Sequence, residues 1–279
     1  MTSTDNPLDP NLKPFDRLLA IMARLRDPIR GCPWDVAQNF RSIVPHTIEE
    51  AYEVAEAIEQ NDMPGLVGEL GDLMFQVAFY SQMAREAGVF DIDDVLKSLN
   101  NKMIDRHPHV FATAEITGAE AQTVAWEHKK AEERAKIAAQ VGTKSSALDG
   151  VIQALPAVTR AEKLQKRAAR VGFDWPDAGQ VLDKIMEELG EVRHEIAENG
   201  TPERLDDEVG DLLFACVNLA RHLKVDPEGA LRRANRKFER RFRRVEELAS
   251  ATGQEMGVIS LQRLEEFWQR AKAEERAGD

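Results

Sequence analysis

Glu208-Val209-Gly210-Asp211-Leu212-Leu213-Phe214 decides the fold, because Glu69-Leu70-Gly71-Asp72-Leu73-Met74-Phe75 states the same pattern 139 residues earlier. Three further blocks recur in the same order around it. Glu187-Glu188-Leu189-Gly190-Glu191-Val192 answers Glu49-Glu50-Ala51-Tyr52-Glu53-Val54 at an offset of 138, and Gly172-Phe173-Asp174-Trp175 answers Gly31-Cys32-Pro33-Trp34 more loosely at 141. Lys272-Ala273-Glu274-Glu275-Arg276 repeats Lys130-Ala131-Glu132-Glu133-Arg134 at 142, with Trp268 and Trp126 four residues upstream. A period this long marks a duplicated domain, since solenoid units are shorter. Between these blocks run long segments rich in Ala, Leu, Glu, Lys and Arg, and the alternating β-branched runs of strands are missing. The expected architecture is all-α, about ten helices long. It consists of two copies of one helical-bundle domain, residues 1–140 and 145–279, joined near Ala138–Leu148. One helix is expected to begin near His46, behind the breaker Pro45.

Length agrees with duplication, because 279 residues make roughly two domains. Lys plus Arg number 37 and Asp plus Glu 49, a formal charge of −12 that argues against general nucleic-acid binding. A small polyanionic substrate stays open, provided metal ions or a local cationic patch stand between the like charges. The two cysteines, Cys32 and Cys216, lie far apart, which excludes a disulfide framework or a thiolate zinc site. No cationic or apolar leader region is visible at the amino terminus. The apolar stretches Leu70–Tyr80 and Val209–Ala220 are shorter than the ~20 residues of a membrane span. A cytoplasmic protein without membrane contact is expected.

On a helical wheel Glu188, Glu191 and Glu195 fall within about 100° of Glu187, opposite Ile185, Leu189, Val192 and Ile196. Alone, this is also the pattern of an amphipathic helix with a solvated acidic face. The next helix is different. Glu208 and Asp211 share a face with Leu205, Leu212, Ala215 and Leu219, and Leu213, Phe214 and Val217 fill much of the rest. Such a helix reads as buried nearly all round, and two acids in it repel each other and lose hydration unless something positive compensates them. Glu69 and Asp72 repeat the situation. Lysine or arginine from a neighbouring helix is one answer. A hard divalent cation, Mg²⁺ with Mn²⁺ as substitute, is the other, held by the i,i+3 pairs Glu188/Glu191 and Glu208/Asp211. Di-iron bundles need Glu-x-x-His on two helices, and only Glu191–His194 fits.

Downstream, the stretch 232–244 carries eight basic residues. Lys237 and Arg241 lie one turn apart and suit phosphate oxygens, as a point charge and a planar fork. Lys102 and Arg106 are their first-copy equivalents. A solvated basic face paired with acidic surface is the plainer reading of the row. Trp268 is the best candidate for stacking on a base, although most such tryptophans are core anchors. No P-loop or Rossmann glycine turn is present.

Taken together, Glu-Glu-x-x-Glu, Glu-x-x-Asp about 16 residues on, Gly-Phe-Asp-Trp upstream and Asn-x-Lys-Phe-x-Arg-Arg-Phe downstream resemble the MazG nucleoside triphosphate pyrophosphohydrolases. Gly31-Cys32-Pro33-Trp34-Asp35 and Arg106-His107-Pro108-His109-Val110-Phe111 add to the likeness, which runs from about Phe15 to Arg276. The resemblance implies a dimeric all-α fold, a Mg²⁺ requirement, and cleavage of NTPs and dNTPs, ATP among them, to the monophosphate and pyrophosphate. It implies metal ligation by Glu188, Glu191, Glu208 and Asp211. Nucleotide contacts are implied at Lys184, Arg204, Lys237, Arg240, Arg241 and Trp268. In two-copy relatives the second copy is the active one, yet copy one keeps Glu49, Glu50, Glu53, Glu69 and Asp72 as a possible second site. The chemistry agrees: Glu187 or Glu188 would polarise the attacking water, and Lys237 and Arg241 would oppose phosphoryl charge. Attack at the α-phosphorus rests on the resemblance alone. A helical interaction module that binds a basic partner, or a related phosphoribosyl-nucleotide hydrolase, are the competing readings.

Overall fold

The computed structural model describes residues 6–112, positions 118, 121–122, 125–126, 129 and 131–132, and residues 146–278. The expected domain boundaries at 140 and 145, and Lys130, Glu133 and Arg134 of the fourth repeat block, lie outside the described residues. Every regular element among the described residues is helical, so the all-α expectation holds. The chain divides into two compact units, Met1–Trp126 and Glu127–Asp279.

The first unit contains α1 (Pro14–Leu25), α2 (Pro33–Ala37), α3 (Phe40–Glu59), α4 (Met63–Glu86), α5 (Ile92–Arg106) and the short α6 (Pro108–Phe111). Its core gathers Met22 from α1, Ile43 from α3, and Phe79 and Met83 from α4, with Phe75 and Tyr80 packed against them. Arg26 closes one end, donating through Nη2 to Glu86 at 2.7 Å.

The expected start of α3 near His46 is corrected. The helix begins at Phe40 and carries Pro45 inside it, in its second turn. The reason is the cap: Asn39 Oδ1 accepts from Arg41 N at 3.0 Å and Ser42 N at 3.2 Å, while Ser42 Oγ accepts from Asn39 N at 2.9 Å. This reciprocal box nucleates the helix upstream, and Pro45 then forfeits one bond to the Arg41 carbonyl without ending it. Asn39→Ala is expected to cost about 1 kcal/mol, measured as a lower urea midpoint at unchanged slope.

The second unit contains α7 (Ala157–Arg170), α8 (Ala178–Ala197), α9 (Pro202–His222), α10 (Pro227–Ser250), a 3₁₀ turn (Met256–Val258) and α11 (Leu261–Gly278). Helices α8 and α9 form an antiparallel hairpin, whose turn uses Asn199 at a left-handed φ of 52°. Gly200 follows, where a Cβ would displace the end of the Glu195 side chain. Helices α10 and α11 form a second hairpin around Val245, Leu248, Ala249, Ile259, Phe267 and Ala271.

A second correction concerns α9 and its counterpart α4, which the wheel placed in apolar surroundings nearly all round. Leu213 is 62% exposed, Met186 of α8 66% and Val67 of α4 74%, so each unit covers only one side of these helices. A wheel counts apolar positions but does not say which chain covers them. Each unit is left with an apolar strip beside its carboxylates.

Candidate metal and nucleotide site

Helices α8 and α9 bring Glu188, Glu191 and Glu208 together, with one carboxylate oxygen from each lying within 4.8 Å of the others. Turn spacing explains this: Glu188 and Glu191 lie one turn apart on α8, and the antiparallel α9 sets Glu208 against them. Asp211 lies one turn further along α9 and lines the adjoining cavity with Glu188 and Lys184. Glu188 is only 4% exposed. Its Oε1 accepts from Lys184 Nζ at 2.7 Å, and the same Nζ reaches Glu187 Oε1 at 2.7 Å. Lys184 is thereby held protonated, by Glu187 first and Glu188 second. The cationic compensation foreseen from sequence therefore exists, but it covers only one oxygen of Glu188. Glu188 Oε2 is buried with no hydrogen-bond partner among the described residues.

Crowding makes the cluster hold a proton more tightly than a lone glutamate does. The neighbouring Glu188 carboxyl raises the Glu191 pKa above the usual glutamate range, helped by burial and by the charges of Glu188 and Glu208, and opposed by Lys184. An unpartnered buried carboxylate oxygen beside two further carboxylates is the donor set of a hard divalent cation, so the residues fit Mg²⁺ or Mn²⁺.

Other expected site residues fall elsewhere. Glu195, assigned by the wheel to a solvated face, is 3% exposed and paired with Arg204, which is tethered at the α8–α9 turn. Lys237 is exposed on α10 and makes no ion pair among the described residues. Arg240 and Arg241 donate through Nε to the two oxygens of Glu275 on α11, at 2.7 and 2.6 Å. Beside them Arg244 and Arg270 hold the Glu274 carboxyl down at about 2. The acids thus sit on the α8–α9 hairpin and the basic row on the α10–α11 hairpin. Trp268 packs on Phe238, ring centroids 5.4 Å apart, and against the α10–α11 core.

The first unit holds a related cluster. Glu50, Glu69 and Asp72 approach within the same 4.8 Å. Burial, followed by the charges of Asp72, Glu53 and Glu69, pushes the Glu50 carboxyl up. Burial, followed by Glu53, Asp72 and Asp62, does the same to Glu69. Glu49 faces His46 at 3.8 Å instead of a lysine. Lys102 is exposed, and Arg106 is half-buried with its carbonyl accepting from Trp126 Nε1 at 2.7 Å. The repeat offsets place His46 opposite Lys184 and Gly65 opposite Arg204.

Sequence reasoning missed the far wall of the second-unit cavity. That cavity, about 280 Å³, runs from Lys184, Glu188 and Asp211 to Trp175, Val181, Phe214, Ala215 and Asn218. The spacing Asp211/Phe214/Asn218 on one face of α9 was the available signal.

A tandem helical chain with one carboxylate cluster in each copy defines the class. The profile of the MazG nucleotide pyrophosphohydrolase domain matches residues 38–111 and 178–245, one segment in each unit, and the chain belongs to that family. It is 51% identical over 262 residues to the nucleoside triphosphate pyrophosphohydrolase of Escherichia coli K12, covering 94% of this chain and 98% of that one. To the nucleoside triphosphate pyrophosphohydrolase/pyrophosphatase MazG of Thermotoga maritima it is 43% identical over 258 residues, 92% of this chain and 95% of the relative. It is also 42% identical over 263 residues to YabN of Bacillus subtilis, 94% of this chain but 52% of that protein.

Proposed function

We propose that the chain hydrolyses nucleoside triphosphates, NTPs and dNTPs alike, to the monophosphate and pyrophosphate, clearing the cytoplasmic nucleotide pool. The partnerless oxygen of buried Glu188 carries this reading, because leaving it so is costly and two further carboxylates stand beside it to complete a cation site. Glu188, Glu191, Glu208 and Asp211 would hold Mg²⁺, or Mn²⁺ in its place. When bound, the cation neutralises phosphate charge and acidifies water. Lys184 fixes Glu187 and Glu188, so that Glu187, whose side chain is 58% exposed, keeps an oxygen towards water as proton acceptor. Arg204, Lys237, Arg240 and Arg241 would meet the triphosphate, with phosphate oxygens taking the place of Glu275 on the two arginines. Trp268 would complete that basic wall.

The working domain is the second, residues 145–279, since the first has His46 and Gly65 where Lys184 and Arg204 stand. The exposed strip of Leu182, Met186 and Leu189 on α8 with Val209 and Leu213 on α9 supports a homodimer through these hairpins. No helix among the described residues is long and apolar enough to cross a membrane.

The test is product analysis. Each NTP incubated with Mg²⁺ is expected to give monophosphate and pyrophosphate in equal amounts, read by ³¹P NMR. In ¹⁸O-water the label should enter the monophosphate. Diphosphate with orthophosphate would overturn the reading.

A further inference from the structure

The α8–α9 hairpin carries one more charged level, on the turn side of the acids. Glu195 follows Glu191 by one turn of α8, and Arg204 precedes Glu208 by one turn of α9. In an antiparallel hairpin the two meet at the level next to Glu191 and Glu208, about 6 Å along the helices. Glu195 Oε1 accepts from Arg204 Nη2. The partners differ in their surroundings, the Glu195 side chain being 3% exposed and that of Arg204 61%. Arg204 uses only Nη2 on Glu195, and its other guanidinium donors have no partner among the described residues. Glu195 Oε2 is buried and likewise partnerless there.

A buried ion pair with half of its carboxylate unsatisfied is a poor way to stabilise a hairpin. The first unit shows that the fold does not need it. The repeat offsets put Ala57 in place of Glu195 and Gly65 in place of Arg204. Helices α3 and α4 still pack together there, turning at Asn61 with a left-handed φ of 56°. The second turn is one residue longer. Asn61 is followed directly by the helix cap Asp62, whereas Gly200 stands between Asn199 and the cap Thr201. The Glu195 carboxyl lies over that glycine, since a Cβ would stand 2.1 Å from Oε2. Glutamate, glycine and arginine are thus present together in the unit with the lysine-held cluster and absent together from the other.

Left alone, Arg204 would turn to Glu208, its i,i+4 neighbour, and lay a positive charge on a carboxylate that a cation needs. Glu195 takes the guanidinium instead, and burial keeps that carboxyl in one place. We infer that Glu195 is the positioning residue of Arg204: it holds the guanidinium off the cation ligands and presents its remaining donors to the phosphates of a nucleotide bound there. A guanidinium suits that task because its donors form a planar fork. The inference rests on the pyrophosphohydrolase reading and adds to it a residue that touches neither substrate nor cation.

Two readouts test it. Mn²⁺ binding without nucleotide is followed by EPR in a Glu50→Gln background, so that the second cluster is the one read. Glu195→Gln should weaken Mn²⁺ by about fivefold or more, because the Arg204 charge then stands uncompensated one turn from Glu208. Adding Arg204→Ala should restore the affinity to within about twofold of that background. Turnover is read as kcat and KM for ATP. Glu195→Gln should raise KM about tenfold with kcat nearly unchanged, the size of one charged hydrogen bond made equally in ground and transition states. In a protein already carrying Arg204→Ala the same change should move KM by less than about twofold. Gly200→Ala keeps both charges but pushes the carboxyl aside, and should weaken Mn²⁺ and raise KM in the same sense, so the test does not depend on Glu195→Gln alone. A general loss of stability would not be undone by removing Arg204, which separates positioning from scaffolding. Unchanged Mn²⁺ affinity in both Glu195→Gln and Gly200→Ala, or an equal loss with and without Arg204, would overturn the inference. Absence of pyrophosphate from every nucleotide with the unaltered protein would instead overturn the underlying reading.

Discussion

Glu188→Gln is expected to lower pyrophosphate release about a thousandfold, within the range for loss of a positioned acid–base or ligating carboxylate. The substitution keeps shape and volume, so the effect is one of charge. It removes the buried oxygen that lacks a partner, and Lys184 keeps Glu187 at 2.7 Å. Without divalent cations the variant should melt no lower than the parent, because one of three crowded carboxylates has lost its charge. Collapse of activity without collapse of stability separates a role in chemistry from a role in folding. Glu50→Gln, the same change in the other copy, should leave turnover within about twofold, since His46 and Gly65 stand there in place of Lys184, which holds Glu188, and of Arg204. A Glu188→Gln protein with full turnover would remove the acids from the machinery. A dead Glu50→Gln protein would move the machinery to the first unit.

Contacts one turn apart were legible in the sequence, and those between distant segments were not. Glu188 and Glu191 could be placed together by helical geometry, and the repeat supplied Glu208 on the next helix, so the acidic cluster was foreseen almost residue by residue. Asp211, expected with them, lines the adjoining cavity beside Glu188. Glu195 looked solvated because a wheel assigns faces by neighbours on its own helix, whereas burial here comes from Arg204 and the Gly200 turn. Pairing of the Arg240 and Arg241 row with acidic surface was the plainer expectation, but nothing local names Glu275, 35 and 34 residues away, as the partner. The hydrogen-bonded chain of Asp174, Arg221 and Asn218 spans 47 residues between its first two members and carries no spacing signal. Pro45 misled for a related reason, as a breaker rule overrode the capping pair Asn39/Ser42 a few residues upstream. The all-α fold survived these misses because it rests on periodicity repeated in both copies.

Mg²⁺ is expected to raise the melting temperature by an amount that grows from acid to neutral pH. Glu191, Glu50 and Glu69 all have pKa values raised above the ordinary 4.5 in the folded chain. Each therefore binds a proton more readily folded than unfolded, and its contribution to stability is present below about 4.5 and lost as pH rises through the raised value. Above those values the three carboxyls lose their protons and crowd their neighbours without a counterion. A divalent cation removes that repulsion, but only when the oxygens it needs have given up their protons. At a hundredfold excess over Kd, binding adds about 2.7 kcal/mol, roughly 5–10 °C for a domain of this size. The increment should fade as pH is lowered through the raised pKa values, while ion pairs away from the clusters, such as Arg26–Glu86, contribute equally with and without the ion and cancel in the difference. Glu191→Gln should flatten the pH dependence of the increment in the second unit and reduce its size. An increment that stays constant from pH 5 to 8, or one that Glu191→Gln leaves untouched, would place the bound cation somewhere other than these carboxylates.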